Sequence, residues 1–233
     1  MAGTGLTASA APAGDGVILR WSEAVYRHMA LGLWLAGLCA PTLIAAMSLA
    51  PVSANAPLLV AACLPVAPAL ASGLYAVRRW RAEGGAAPFA LLLAGLRGTA
   101  MDVLRWWAPV LAVAALLTVN LIRPPGGPID LAVRAVSMLL LVLLVLVSGH
   151  ATVISSGFDF RTRDTVRIAL YLLGADHQRT LAFVSLLIVA AGVTYLASEA
   201  VLLLLAWAFV SLAELLTRPT VTTLTTRFTT RAE

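Results

Sequence analysis

AACLPVAPALASGLYAVRRWR, residues 61–81 of this chain, joins an apolar run to a block of arginines. Pro65 and Pro68 lie inside the run, so the pattern predicts a helix that is kinked where backbone hydrogen bonds are missing. Alanine and glycine recur at four-residue spacing, which allows neighbouring helices to approach closely. The arginines place one end of this helix in the cytoplasm, because cytoplasmic loops of membrane proteins are rich in basic residues. The stretch therefore predicts a membrane-spanning helix, 58–75, around which the others are arranged.

The composition places the chain in lipid. Hydrophobic residues make up 61% of its 233 residues and charged residues 12%, whereas a soluble domain is about half apolar and about a quarter charged. Too few polar side chains remain to cover a water-soluble globule. All 16 basic residues are arginines, and they flank the apolar runs as the positive-inside rule requires. The net charge of +5 is therefore not interpreted as a nucleic-acid-binding surface, and the predicted partner is the lipid bilayer.

The apolar runs predict six membrane spans, because each span needs about 20 apolar residues. The predicted fold class is all-α, a polytopic membrane helical bundle with two further helices on the cytoplasmic surface. The spans are predicted at 30–49, 58–75, 106–121, 131–154, 181–196 and 199–217. The surface helices are predicted at 86–105 and 160–175, where charged residues interrupt the apolar pattern.

The last two spans come from one apolar run, 180–217. As a single straight helix it would be about 57 Å long at about 1.5 Å per residue, while the hydrocarbon core is about 30 Å thick. We therefore expect a tight turn near 196–199, although neither glycine nor proline marks it.

Both termini are predicted to be cytoplasmic. Residues 1–16 are expected to be a disordered tail, 17–217 a single membrane domain, and 218–233 a threonine-rich tail in which Pro219 ends the last helix. Of the arginines, all but Arg123 and Arg134 then fall on the cytoplasmic side, which is the distribution that sets orientation.

Two ionisable residues near the inner ends of spans are the first candidates for function, because lipid disfavours such groups. His150 in the fourth span and Glu214 in the sixth are expected at similar depth. They are predicted to pair, either as a proton-relay site or as an interfacial pair that reaches the headgroups.

Further polar residues have simpler expectations. Glu199 is predicted to form a structural ion pair with Arg134 or Arg123 at the outer face. Asn120 is expected to bridge two helices through a hydrogen bond, an interaction that contributes about 0.6 kcal/mol on average in membranes.

Catalytic and cofactor motifs are absent from the sequence. It contains no GxxxxGK[ST], HExxH or GxSxG pattern, and these spacings carry phosphate binding, zinc hydrolysis and serine chemistry respectively. Cys39 and Cys63 fall inside predicted spans without a CxxC or Cys/His cluster. No enzymatic activity, cofactor or metal site is therefore predicted.

Residues 64–97, LPVAPALASGLYAVRRWRAEGGAAPFALLLAGLR, resemble the signature of the YesL-like family of bacterial membrane proteins. The shared features are a proline-containing helix, small residues, a basic block, a short acidic or glycine-rich loop and a helix that begins with phenylalanine. Residues 31–38, LGLWLAGL, are similar to the family's first span. The resemblance implies a cytoplasmic-membrane protein associated with carbohydrate ABC transporters, and it implies no catalytic residue.

Two hypotheses about function follow. The first is an accessory or structural subunit of a membrane complex, which would contact a sugar ABC transporter permease or its ATPase through the two surface helices. The candidate docking residues are Phe89, Arg97, Asp102, Arg161, Arg163 and Arg167. The alternative is a small-solute permease or carrier that uses His150 and Glu214 as an intramembrane polar site.

We predict that a reporter fused after Glu233 will lie in the cytoplasm, because the arginine distribution requires both ends of a six-span chain to be there. A green fluorescent protein fusion should fluoresce, and an alkaline phosphatase fusion should be inactive. The same two reporters inserted within 123–130 should give the opposite pattern and serve as the control. Active phosphatase at Glu233 would overturn the predicted threading.

Overall fold

Eight helices make up this computed structural model, which describes residues 13–50, 52–83, 87–124, 126–158 and 160–224. In chain order they are α1 Ala13–Ser48, α2 Ala56–Ala61, α3 Val66–Glu83, α4 Pro88–Ile122, α5 Pro128–Ser155, α6 Thr162–Ala175, α7 His177–Leu196 and α8 Glu199–Leu224. Every regular element among these residues is helical, so the predicted all-α class is confirmed.

Several of these helices are long and apolar enough to cross a membrane. Within the described ranges there are five such regions, namely Trp21–Ser48, Ala56–Ala82, Pro88–Ile122, Pro128–Ser155 and Glu199–Thr217. The pair formed by α6 and α7 is bent by 95° and makes a sixth if it is counted as one span. The architecture is therefore that of a multi-pass membrane helical bundle.

The helix α3 forms the centre of the bundle and contacts α1, α4, α5 and α8. Its buried apolar residues are mostly small: Ala67, Ala69, Ala71, Leu74, Ala76, Val77 and Trp80. At Gly73 an added Cβ would lie 3.1 Å from Leu31 of α1 and 3.3 Å from Val210 of α8. The predicted role of small residues in close packing is confirmed.

The proline pair breaks the second span instead of only kinking it. The helix α2 ends at Ala61 and α3 begins at Val66, because Pro65 has no N–H to continue the ladder. Side chains from two other helices bind carbonyls in the turn. Thr42 Oγ1 donates to the Ala62 carbonyl at 2.6 Å, and Trp107 Nε1 donates to the Cys63 carbonyl at 3.1 Å.

The predicted surface helix 86–105 is wrong as a separate element, because α4 runs without a break from Pro88 to Ile122. Its first half packs along α3: Leu92 is fully buried in the apolar cluster that contains Val77, and Gly95 lies against Tyr75. The charged residues that interrupt the hydropathy do not interrupt the backbone ladder. Small residues such as Gly95 allow the charged half of α4 to join the bundle.

The paired tryptophans of α4 consequently lie inside the bundle and not at the start of a span. Trp106 is buried, and its Nε1 donates to Ser155 Oγ of α5 at 3.2 Å. A similar bond joins Trp34 of α1 to Ser72 of α3 at 3.0 Å. Interhelical hydrogen bonds of this kind help to fix helix pairs in lipid.

The expected turn near 196–199 is confirmed, since α7 ends at Leu196 and α8 begins at Glu199. Ser198 Oγ accepts the backbone N–H of Val201 at 3.3 Å, which is the hydrogen bond of an N-cap serine. The α6 helix, Thr162–Ala175, likewise confirms the helix predicted at 160–175.

Two helices extend past the predicted ends of the membrane domain, 17 and 217. Helix α1 already begins at Ala13, and α8 continues through Pro219 to Leu224. Thr217 Oγ1 donates to the Ala213 carbonyl at 2.8 Å, so the turn before the proline gains a side-chain bond. The remaining predicted tails, 1–12 and 225–233, lie outside the described residues.

We predict that Gly95→Ala will destabilise the protein by about 1–3 kcal/mol through overpacking. The added Cβ would lie 2.8 Å from Tyr75 Cδ1 and 3.2 Å from the Ser72 carbonyl oxygen, so moving the tyrosine ring cannot relieve the crowding. Gly98→Ala is the matched control one turn away, because it meets nothing within 4 Å. It should gain up to about 1 kcal/mol of helix propensity. Thermal unfolding in detergent measures both, and equal melting temperatures would contradict the α3–α4 packing.

Candidate functional site: a charged cluster at the end of the central helix

The arginine block at the end of α3 connects this helix to its neighbours. Arg78 donates through Nη1 and Nη2 to the Val153 carbonyl of α5 at 3.4 Å. Arg81 forms an ion pair with Glu214 of α8. Arg79 lies over the ring of Tyr75 in its own helix, 5.5 Å from the ring centre. Successive arginines therefore point in different directions and act on different helices.

A further arginine reaches the same end of α3 from α1. Arg27 Nη1 donates to the Trp80 carbonyl at 3.3 Å, and Arg27 also pairs with Glu23 one turn away. The cluster thus joins α1, α3, α5 and α8. We refer to this end of the molecule, defined by Arg27, Arg78, Arg81 and Glu214, as the basic end.

The carboxylate of Glu214 is the most deeply buried charge of this cluster, with only 5% of the residue exposed. A buried carboxylate without a cation costs several kcal/mol, which accounts for the ion pair with Arg81. Arg78 adds a second favourable electrostatic interaction with the same carboxylate. The Arg81 side chain is 41% exposed, so water screens this pair from one side and reduces its net contribution to stability.

Arg78 binds a carbonyl at the C-terminal end of α5. The Val153 carbonyl also accepts a hydrogen bond from Ser156 Oγ at 2.8 Å. The last carbonyls of a helix have no partner within it and carry partial negative charge, so a guanidinium is favourable there. An added Cβ at Gly157 would lie 2.6 Å from Arg78 Nη1, so this glycine leaves the room that the guanidinium occupies.

His150 lies on α5 one turn before Val153 and is buried. Its ring stands edge-on to Phe183 of α7, with ring centres 4.8 Å apart. Phe183 lies beside Ala213 and Thr217 of α8, which stand on either side of Glu214 in the chain. The structure therefore brings the predicted pair His150 and Glu214 to the same region, and it gives Glu214 an ion pair with Arg81.

The other predicted polar interactions do not form. Arg134 Nε lies 3.4 Å from Asp130 on its own helix, and the predicted ion pair of Glu199 with Arg134 or Arg123 is not seen among the residues that the structure describes. Asn120 is half-buried near the end of α4, and its side chain makes no hydrogen bond to another helix in the described part of the chain. Among those same residues, no group of three His, Cys, Asp or Glu side chains is placed to hold a metal.

The candidate docking residues fall on two helices. Phe89 and Arg97 are exposed on α4, and Asp102 forms an ion pair with Arg105 at 2.8 Å. The exposed basic candidates on and just before α6 are Arg161, Arg163 and Arg167. Five of the six candidates are exposed and Asp102 is half-buried, and their role in docking stays a prediction.

A cavity of about 620 Å³ lies between α1 and α8, apart from the charged cluster. Its walls are mainly apolar and include Met29, Leu33 and Leu204. His28 stands edge-on to Trp207 at its side, with ring centres 5.3 Å apart. An open apolar surface of this kind between two spans is suited to contact with lipid.

Sequence reasoning missed the arginine partners, although a signal for them was present. A glutamate near the end of a long apolar helix needs a cation, and the RRWR block, 78–81, is the densest source of cations in the chain. Pairing Glu214 with this block required knowing that α3 and α8 are neighbours, which hydropathy does not show.

We predict that Arg81→Met will cost about 1–3 kcal/mol of stability, because it leaves the buried Glu214 carboxylate without its cation. Glu214→Leu in the Arg81→Met background should recover part of that loss. A double-mutant cycle by unfolding in detergent measures the coupling. Asp102→Asn, in an exposed pair, is the control and should change stability by less than about 0.5 kcal/mol. Strictly additive effects of the two substitutions would show that the ion pair does not form.

No protein-family model matches this chain, and no curated protein or solved structure matches it at a significant level. The similarity of 64–97 to the YesL-like family therefore stays a prediction from the sequence. The features that bear on function are the charged cluster, which is bonded within the fold, and the exposed faces of α4 and α6.

Proposed function

We propose that this protein is an accessory or structural subunit of a bacterial membrane complex, associated with a carbohydrate ABC transporter. One observation carries the proposal: the charges at the basic end are bonded to other helices of the same chain. Arg78 binds the end of α5 and Arg81 neutralises Glu214. These charged groups hold the helices of the bundle together. The exposed helix faces are then the surfaces that a partner protein can contact.

The face of α4 next to the basic end is the proposed docking surface. It consists of Phe89, Leu93, Arg97 and Met101, spaced four residues apart and therefore aligned along one side of the helix. All four are exposed, Phe89 at 40% and Met101 at 63%. Aromatic residues, methionine and arginine are the residue types enriched at protein interfaces. We name these four residues the α4 face.

The orientation and the compartment belong to the same proposal. The protein is placed in the cytoplasmic membrane with both termini in the cytoplasm, on the strength of the arginine distribution. In that orientation the basic end and the start of α4 lie on the cytoplasmic side, where an ABC permease loop or its ATPase is accessible. The choice of a carbohydrate transporter rests on the resemblance of residues 64–97.

The carrier alternative has weaker support from the geometry. Carriers bind substrates and coupling ions near the membrane midplane, on broken helices. The break at Pro65 fits that description, but its carbonyls at Ala62 and Cys63 are bonded by Thr42 and Trp107. The Glu214 charge is balanced by an arginine at the basic end, which favours a structural role for the carboxylate.

We predict that full-length protein, purified from native membranes in a mild detergent, will carry a sugar-transporter permease or ATPase with it. Phe89→Ala combined with Arg97→Glu should reduce recovery of that partner roughly tenfold, because aromatic and arginine anchors each contribute more than about 1 kcal/mol at interfaces. Arg123→Glu is the matched control, since Arg123 is exposed beyond the opposite end of α4.

Recovery of a lone monomer, or equal recovery by the Phe89/Arg97 variant, would contradict the docking proposal. Solute uptake by proteoliposomes that is abolished by Glu214→Gln, at an unchanged unfolding temperature, would instead favour the carrier.

A further inference from the structure

Among the arginines whose side chains the structure describes, some bond to other protein groups and others only face outward. The bonded ones include Arg27, Arg78, Arg81, Arg105 and Arg134. On α6, by contrast, Arg163 and Arg167 are exposed and make no ion pair or hydrogen bond to any residue that the structure describes. Two unbonded guanidinium groups one helical turn apart form a cationic site that the fold itself does not use.

The direction of α6 is that of a helix lying along a membrane surface. The helix is bent by 95° from the apolar helix over 180–196, so if that helix runs across the membrane, α6 lies nearly parallel to its surface. Arg78 lies near the start of α6. It binds the Val153 carbonyl at the end of α5, and its guanidinium lies close to Gly157 in the connection to α6. Helix α6 therefore starts beside the basic end.

The two sides of α6 differ as those of an interfacial helix do. Thr165 and Ala169 are buried against the bundle, while Leu170 is 52% exposed and Tyr171 65% exposed. Exposed aliphatic and aromatic side chains next to arginines are typical of helices that lie at the boundary between headgroups and acyl chains. A helix that faces water usually has polar side chains at its exposed positions.

A shallow open depression of about 380 Å³ on the surface of α6 is lined by the two arginines. Its other lining residues are Thr162, Val166 and Leu170. The site thus combines two cationic groups with an adjoining, mostly apolar surface. A phosphodiester with the start of an acyl chain has the matching arrangement of charge and apolar surface, and guanidinium groups bind phosphate oxygens in a bidentate manner.

We propose that α6 binds the headgroup of an anionic phospholipid through Arg163 and Arg167, with Leu170 and Tyr171 inserted at the acyl boundary. Charge complementarity selects an anionic lipid over a zwitterionic one. The helix direction and the apolar exposure select a lipid over a soluble protein partner. The proposal is independent of the α4 face, which lies on another helix.

The test uses the full-length protein in phosphatidylcholine bilayers that contain a small fraction of spin-labelled phosphatidylglycerol. Electron paramagnetic resonance gives the association of the labelled lipid with the protein relative to phosphatidylcholine. The native protein should prefer phosphatidylglycerol, and added salt should weaken that preference through screening. Arg163→Gln and Arg167→Gln should each reduce the preference roughly fivefold, the factor expected for one arginine at a membrane surface.

Arg123→Gln is the matched control and should leave the preference unchanged, because this exposed arginine is remote from α6 in the fold. Unfolding temperatures in detergent establish that each variant is folded. The proposal is overturned if the native protein shows no preference, if the double variant Arg163→Gln/Arg167→Gln binds as the native protein does, or if Arg123→Gln lowers binding equally. It is also overturned if the double variant keeps the lipid preference but loses a co-purified protein partner, since α6 would then be a protein interface.

Discussion

Small side chains on α3 set the distances between helices in this bundle. In lipid there is little hydrophobic gain when two apolar helices meet, so association depends on close packing and hydrogen bonds. Gly73 lies within van der Waals reach of both α1 and α8, and Gly95 of α4 rests against Ser72 and Tyr75 of α3. Larger side chains at these positions would push three neighbouring helices away from α3. The polar contacts of the bundle depend on that close approach.

The second constraint is that backbone groups inside a membrane need partners within the protein. At the break between α2 and α3 and at the end of α5, the regular helical ladder stops and carbonyls accept additional hydrogen bonds from side chains. Side chains from other helices reach them: Thr42 and Trp107 at the break, and Arg78 at the Val153 carbonyl. These long-range bonds are possible because α1, α4 and α5 are already held close to α3. The close packing of the helices is therefore what allows side chains to hydrogen-bond these backbone carbonyls.

Much of the fold could be predicted from the sequence because lipid imposes a length and a polarity on every span. The central role of 61–81, the turn near 196–199 and the separate α6 helix all follow from apolar runs and their interruptions. The continuity of α4 could not be predicted in this way. Arg97 and Asp102 lower the hydropathy of 86–105 without affecting its backbone, and whether that half packs on α3 depends on Leu92 and Gly95 meeting the right partners.

The end of α8 shows a related limit. Pro219 predicts a helix end, yet the helix continues to Leu224. The partner of Glu214 could not be predicted from the sequence either, because hydropathy indicates depth along each helix but not which helices are neighbours. What the sequence does report is the need for a partner: a carboxylate in an apolar helix requires a cation. The structure supplies Arg81.

The number of arginines near the spans and the contacts of each arginine are different kinds of evidence. The positive-inside rule treats every basic residue near a span as equal evidence for orientation. In this structure Arg27, Arg78 and Arg81 each bond to a carbonyl or a carboxylate of another helix. These three arginines therefore have a role inside the fold in addition to any effect on orientation. The outward-facing arginines of α6 have no such internal role, and they are the residues whose position is better explained by what surrounds the protein.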